Sequence, residues 1–280
     1  MKLSNRGLLA ASPLLLTLFV SAPLALSAQE NGLLPSPKFL LIDREFVKPG
    51  REGAPHETTE GAFTRALAAS KTASSHYTAG VSLSGPSRVL FLYSYPSLAA
   101  IEAEHKAIDS DPVLSAALDR AAVADGDLLS ASDSSTWAQR PDLSLNPGFR
   151  VGTHYEEISQ FNVRPGHYRE WEELVKMVID GYKRGVPEAH WGMYEEVYGS
   201  PGGSYLVIST VKSAADLDNE FASGKKFEEA MGAEGLKKME ALEASCVESR
   251  MTNLFWIDPK MSNPSEAMTK ADPEFWKGQP

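Results

Sequence analysis

Groups able to move protons and line a ligand pocket are bunched in the second half of the chain. His154 and Glu156 stand two residues apart in a segment with strand character, so their side chains leave one face. His167 and Trp171 open the helical segment that follows. His190, Trp191 and Tyr194 lie on the next strand. Histidine among aromatic rings suits a pocket for a small apolar or aromatic molecule, with imidazole as the base and rings as walls. On that reading His154 and His190 are the candidate catalytic residues, and Glu156, His167, Trp171, Trp191 and Tyr194 the candidate ligand-binding ones. The same residues also fit a plainer arrangement of solvated polar groups at a sheet edge with two tryptophans in the core, and both readings stay open.

His105 is a different case. It shares a helical stripe with Leu98, Ile101 and Ile108. A neutral imidazole on an apolar stripe suits an axial haem ligand, a proton acceptor, or a core histidine with one hydrogen bond. No metal site is expected: His154 and Glu156 have no third ligand at a motif spacing. A nucleophile elbow, a P-loop and a dinucleotide fingerprint are all missing, since Gly199 to Gly203 reads as a hairpin turn and opens no helix.

The elements that must position these groups are organised by a repeated phrase. VKPG (Val47 to Gly50) and VRPG (Val163 to Gly166) each end a strand and lead into a helix, with Pro49 and Pro165 116 positions apart. Ser97 and Ser213, each expected to cap a helix, repeat at the same offset. His76-Tyr77 matches His190-Trp191, and PDLS (Pro141 to Ser144) matches PKMS (Pro259 to Ser262), at offsets altered by two. Strands are expected at 39–47, 76–84, 88–95 and 128–138, then at 149–163, 190–198, 205–211 and 246–257. Helices fall between them, the first capped by Thr58 or Thr59, and another carrying Tyr168, Trp171, Val175, Val178 and Tyr182 on one face. A helix from Ser213 should bury Leu217 and Phe221, and one over 227–244 should break near Gly232 and Gly235.

Residues 1–28 read as a signal peptide: Lys2 and Arg6 precede an apolar run, and small residues offer cleavage after Ser27 or Ala28. The expected destination is the periplasm or the medium, with no membrane attachment after cleavage. Loss of those two cations takes the net charge from −10 to −12, which disfavours nucleic acid as a partner. A single cysteine, Cys246, excludes an internal disulfide. The expected division is linker 29–38, first unit 39–145, second unit 146–262 and C-terminal tail 263–280.

Each unit reads β-α-β-β-α-β, the ferredoxin-like order: an α+β fold whose sheet carries its helices on one face and leaves the other bare. Two such units in tandem can pack sheet to sheet as an intramolecular α/β barrel. On this duplication and the two Pro-Gly junctions the chain resembles tandem members of the dimeric α/β-barrel superfamily, similar to the antibiotic-biosynthesis-monooxygenase and NIPSNAP-like branches. That resemblance implies a ligand cleft between sheet and helices, and one of three functions. The first is a small-molecule-binding protein that works as a cofactor-independent monooxygenase, an oxidoreductase. The second is a haem-binding or haem-handling protein. The third is a non-catalytic interaction module. Homo-oligomerisation is left open.

Overall fold

The computed structural model describes residues 33–70, 75–150 and 152–278; the expected signal peptide lies outside them. The strands are β1 (Leu33–Leu34), β2 (Phe39–Val47), β3 (Tyr77–Ser82), β4 (Arg88–Tyr95), β5 (Leu129–Gln139), β6 (Phe149–Arg150), β7 (Tyr155–Val163), β8 (Gly192–Tyr198), β9 (Ser204–Val211) and β10 (Val247–Ile257). The helices are α1 (Ala54–Ala69), α2 (Leu98–Asp109), α3 (Pro112–Gly126), α4 (Tyr168–Gly185), α5 (Ala214–Cys246), α6 (Glu266–Ala271) and α7 (Pro273–Trp276). Eight strands close into an antiparallel barrel in the order β10-β3-β4-β2-β5-β8-β9-β7, with β7 paired back to β10. Closure removes every free edge from this sheet.

Within the first half the order is β3-β4-β2-β5, and within the second β8-β9-β7-β10. Both are the same sequence of strands, numbered within the half: second, third, first, fourth. The halves join where β5 meets β8 and β10 meets β3. At each join one serine does the same work. Ser144 Oγ accepts from the Met193 N–H at 2.9 Å and donates to the Arg140 carbonyl at 2.8 Å. Ser262 Oγ accepts from the Ala79 N–H at 2.9 Å and donates to the Asp258 carbonyl at 2.6 Å. The repeated Pro-Gly turns also match. Gly50 and Gly166 sit at φ +80° and +90°, a region that favours glycine. Beside them the Lys48 N–H bonds the Leu128 carbonyl, and the Arg164 N–H bonds the Cys246 carbonyl, both at 2.8 Å.

Period-two alternation divides the apolar residues into three cores. Leu40, Ile42, Leu92, Trp137, Ile208 and Phe255 fill the barrel interior with their neighbours. On the outer face of the first half Val89 and Phe91 pack against Leu67 of α1 and Leu114 of α3. On that of the second half Trp171, Leu174 and Ile179 of α4 meet Met193 and Tyr205. Fully burying such a side chain stabilises by ~1.5–3 kcal/mol, so the interior face favours closure and the outer faces favour the helices that cover them.

Several expectations are corrected. The first helix starts at Ala54 with Pro55 in its first turn, ahead of Thr58 and Thr59, because proline fixes the backbone for a first turn. The segment 149–163 is two strands: β6 pairs with β1 inside the expected linker, and β7 alone joins the barrel. Ser97 and Ser213 do cap their helices. The register of the faces differs, however. Glu104 is buried and His105 exposed, and Phe221 is 83% exposed. Tyr168 is also exposed. α5 has its break at Gly232, φ +67°, and none at Gly235. No described helix is long and apolar enough to cross a membrane.

Candidate functional site

One end of the barrel interior is hollow, leaving a cavity of about 500 Å³. Its floor is apolar, built from the inward-facing Leu40, Leu92 and Ile208. Its roof comes from segments that the sequence presents as linker and tail: Pro35 to Lys38, Phe149, and Met268 of α6. The volume lies within the ~300–1,000 Å³ usual for small-molecule sites. The cleft implied by the family resemblance lay between sheet and helices; this cavity lies inside the sheet.

Into this space β7 directs one carboxylate. Glu156 and Ile158 alternate with Tyr155 and Glu157, so the first pair faces inward, opposite Phe255, Asn253, Thr210 and Ile208 on the neighbouring strands. Glu156 is 1% exposed. Thr78 Oγ1 donates to its Oε1 over a long 3.4 Å, and its Oε2 has no hydrogen-bond partner. Burial pushes its pKa up to about 7, a rise that the Thr78 hydroxyl partly opposes. Tyr194 lines the same cavity. Burial raises its phenol pKa, a hydrogen bond with Ser36 opposes the rise, and the Glu156 charge adds to it. The phenol therefore stays protonated and available as a donor. Gly192 makes room for that ring: a Cβ there would stand 3.0 Å from Tyr194 Cε2.

Of the expected site residues the cavity gathers Glu156 and Tyr194. His190 stands behind it, buried, with Nε2 3.1 Å from Oγ1 of the cavity-lining Thr210. His154 is half-buried at the tail. Its Nε2 lies 2.8 Å from Asp272 Oδ2, and its ring stacks on Phe275 with centroids 4.0 Å apart. Trp276 beside it is buried, so α7 is fastened against the barrel. Trp171 and Trp191 belong to the core between the second-half sheet and its helices. His167 precedes α4 near Glu170, partly exposed. His105 is exposed on α2 and outside the cavity lining, because α2 turns Glu104 inward instead. His76, the repeat-mate of His190, is exposed and lines the cavity mouth, whereas His190 is buried.

The sequence shows no metal-ligand spacing, yet the fold brings Glu45, His56, Glu60 and Asp125 together, with one ligating atom from each within 4.8 Å of the others. The signal for two of them was present: His56 and Glu60 are four apart on one helix, hence on one face. Glu45 and Asp125 come from distant segments, which no spacing could join.

No family model matches the sequence, and no curated protein does. Solved structures are similar in fold. A candidate monooxygenase of Fusobacterium nucleatum subsp. nucleatum is 9% identical, over 79% of this chain and 93% of its own, with a TM-score of 0.52. An anthrone oxidase-like protein is 11% identical, over 79% of this chain and 92% of its own, with a TM-score of 0.50. A chlorite dismutase variant from Candidatus Nitrospira defluvii is 11% identical, over 83% of this chain and 95% of its own, with a TM-score of 0.49. What the chain shares with the first two, at such identities, is the fold alone.

Proposed function

We propose that this chain is an exported barrel protein that takes a small apolar or aromatic molecule into the barrel mouth and removes a proton from it with Glu156, as a cofactor-independent monooxygenase. The observation that carries the reading is a carboxylate with one unpartnered oxygen inside an apolar cavity. A base is most effective when its pKa lies near the working pH, and burial brings Glu156 to about 7. The apolar walls would hold the substrate, and the Tyr194 hydroxyl would steady the oxygen of its anion. In cofactor-independent oxygenation the substrate anion supplies electrons to dioxygen from solution; one oxygen atom enters the substrate and the other leaves as water. The names of the similar structures, a candidate monooxygenase and an anthrone oxidase-like protein, agree with this class.

We infer as well that the halves are copies of one ferredoxin-like unit, in the antibiotic-biosynthesis-monooxygenase or NIPSNAP-like branch. Their equal strand orders and the equivalent serine bridges support this. The haem alternative loses the axial ligand expected for it, since His105 is exposed and outside the cavity. A purely structural module would be expected to fill its cleft with its own side chains, and here about 500 Å³ is left.

Anthrone serves as the probe substrate. Oxygen uptake by the full chain should rise with pH through about 7 and vanish in Glu156→Gln, while tryptophan quenching shows anthrone still bound. Uptake unchanged in that variant, or no anthrone binding at all, overturns the reading. The mass of the mature N-terminus, in protein made with its leader, tests export.

A further inference from the structure

We propose that Glu45, His56, Glu60 and Asp125 form a binding site for one divalent first-row transition ion, separate from the barrel cavity, that fastens α1 and α3 to the outer face of β2. The four side chains come from three elements. Glu45 points outward from β2, His56 and Glu60 lie one turn apart on α1, and Asp125 sits in the last turn of α3.

The spacing suits coordination. His56 Nε2 lies 3.0 Å from Glu45 Oε2, 3.3 Å from Asp125 Oδ1 and 4.0 Å from Glu60 Oε1. Ligands ~2.1 Å from a common ion stand ~3.0 Å apart at a right angle, ~3.4 Å at a tetrahedral angle and ~4.2 Å when opposed. His56, Glu60 and Asp125 are almost wholly buried. Glu60 Oε1 is buried and has no hydrogen-bond partner, so a strong acceptor is aimed into the cluster and left unused. Such an atom costs ~1–3 kcal/mol or more when nothing satisfies it.

The charges ask for a cation. Three carboxylates face one imidazole. A divalent ion would balance that charge and satisfy Glu60 Oε1. One nitrogen and three oxygens favour Mn²⁺, Fe²⁺ or Zn²⁺ over softer, thiolate-seeking ions. Thr59 supports the set, donating from Oγ1 to Asp125 Oδ1 at 2.8 Å.

The test uses the full chain stripped with a chelator, then titrated separately with Zn²⁺ and Mn²⁺ by calorimetry. One ion per chain should bind, the thermal midpoint should rise with ion concentration, and Glu60→Gln should weaken binding at least tenfold. In case that variant does not fold, imidazole resonances of the wild type give a second readout: Zn²⁺ should move those of His56 and leave those of the exposed His105 in place. Binding that is absent, that is equal in Glu60→Gln, or that leaves the His56 ring unmoved would overturn the proposal and leave a proton-sharing cluster. None of these outcomes bears on Glu156, which lies on the other face of the sheet.

Discussion

Replacing Glu156 by glutamine keeps the side chain's shape and removes its ability to ionise. The carboxyl titrates at about 7 in the folded chain against 4.5 for an ordinary glutamate. Between those values the native state holds a proton that the unfolded state has lost. Stability from this group is therefore fully present below 4.5 and is lost as pH rises through 7. The gap, at ~1.36 kcal/mol per pH unit, comes to about 3 kcal/mol. The variant lacks this slope. Its amide hydrogens meet the place where Oε2 has no partner, which costs about 1–3 kcal/mol equally at every pH. Urea unfolding of both proteins at pH 4.5 and pH 8 separates the two effects. The wild type should lose about 3 kcal/mol relative to the variant over that interval. Asp43, raised to about 6 by burial and by Glu45, titrates in both proteins and cancels in the comparison. A relative change below ~1 kcal/mol, or one favouring the wild type at high pH, refutes the claim that a carboxyl with one unpartnered oxygen is buried in this cavity.

Three further outcomes are expected. Ser144→Ala and Ser262→Ala each remove the acceptor of a backbone N–H at a junction between halves, at a cost of about 1–3 kcal/mol; chemical denaturation should find the two costs equal within ~1 kcal/mol, and a large disparity would argue against equivalent junctions. His154→Ala loses the Asp272 bond and the Phe275 stack, so trypsin should cut faster at Lys270 and Lys277 and a bound probe should leave the cavity faster; unchanged rates would show that the tail is fastened elsewhere. Gly192→Ala drives a Cβ against Tyr194, costing about 1–3 kcal/mol by overpacking, and anthrone binding should weaken with it, as fluorescence titration can check.

The sequence by itself settled the order of the eight barrel strands, the two Pro-Gly turns and the serine caps at Ser97 and Ser213. Each of these depends on backbone angles and hydrogen bonds within a few residues, which local residue types decide. It also placed Glu156 on one face of a strand, since alternation is local. Which face would be dry, and which group would be the base, depended on closure of the barrel. His154 and His190 drew attention because imidazole titrates near neutrality unaided, whereas Glu156 does so only after burial. A rotation of α2 by one residue exchanged His105 for Glu104 as its buried group, and packing alone chose between them. The cavity roof joins residues 35–38 to 265–268, and the cluster of Glu45, His56, Glu60 and Asp125 joins three elements. Contacts across such separations leave no spacing in the sequence, because the barrel's closure creates the neighbourhoods in which they occur.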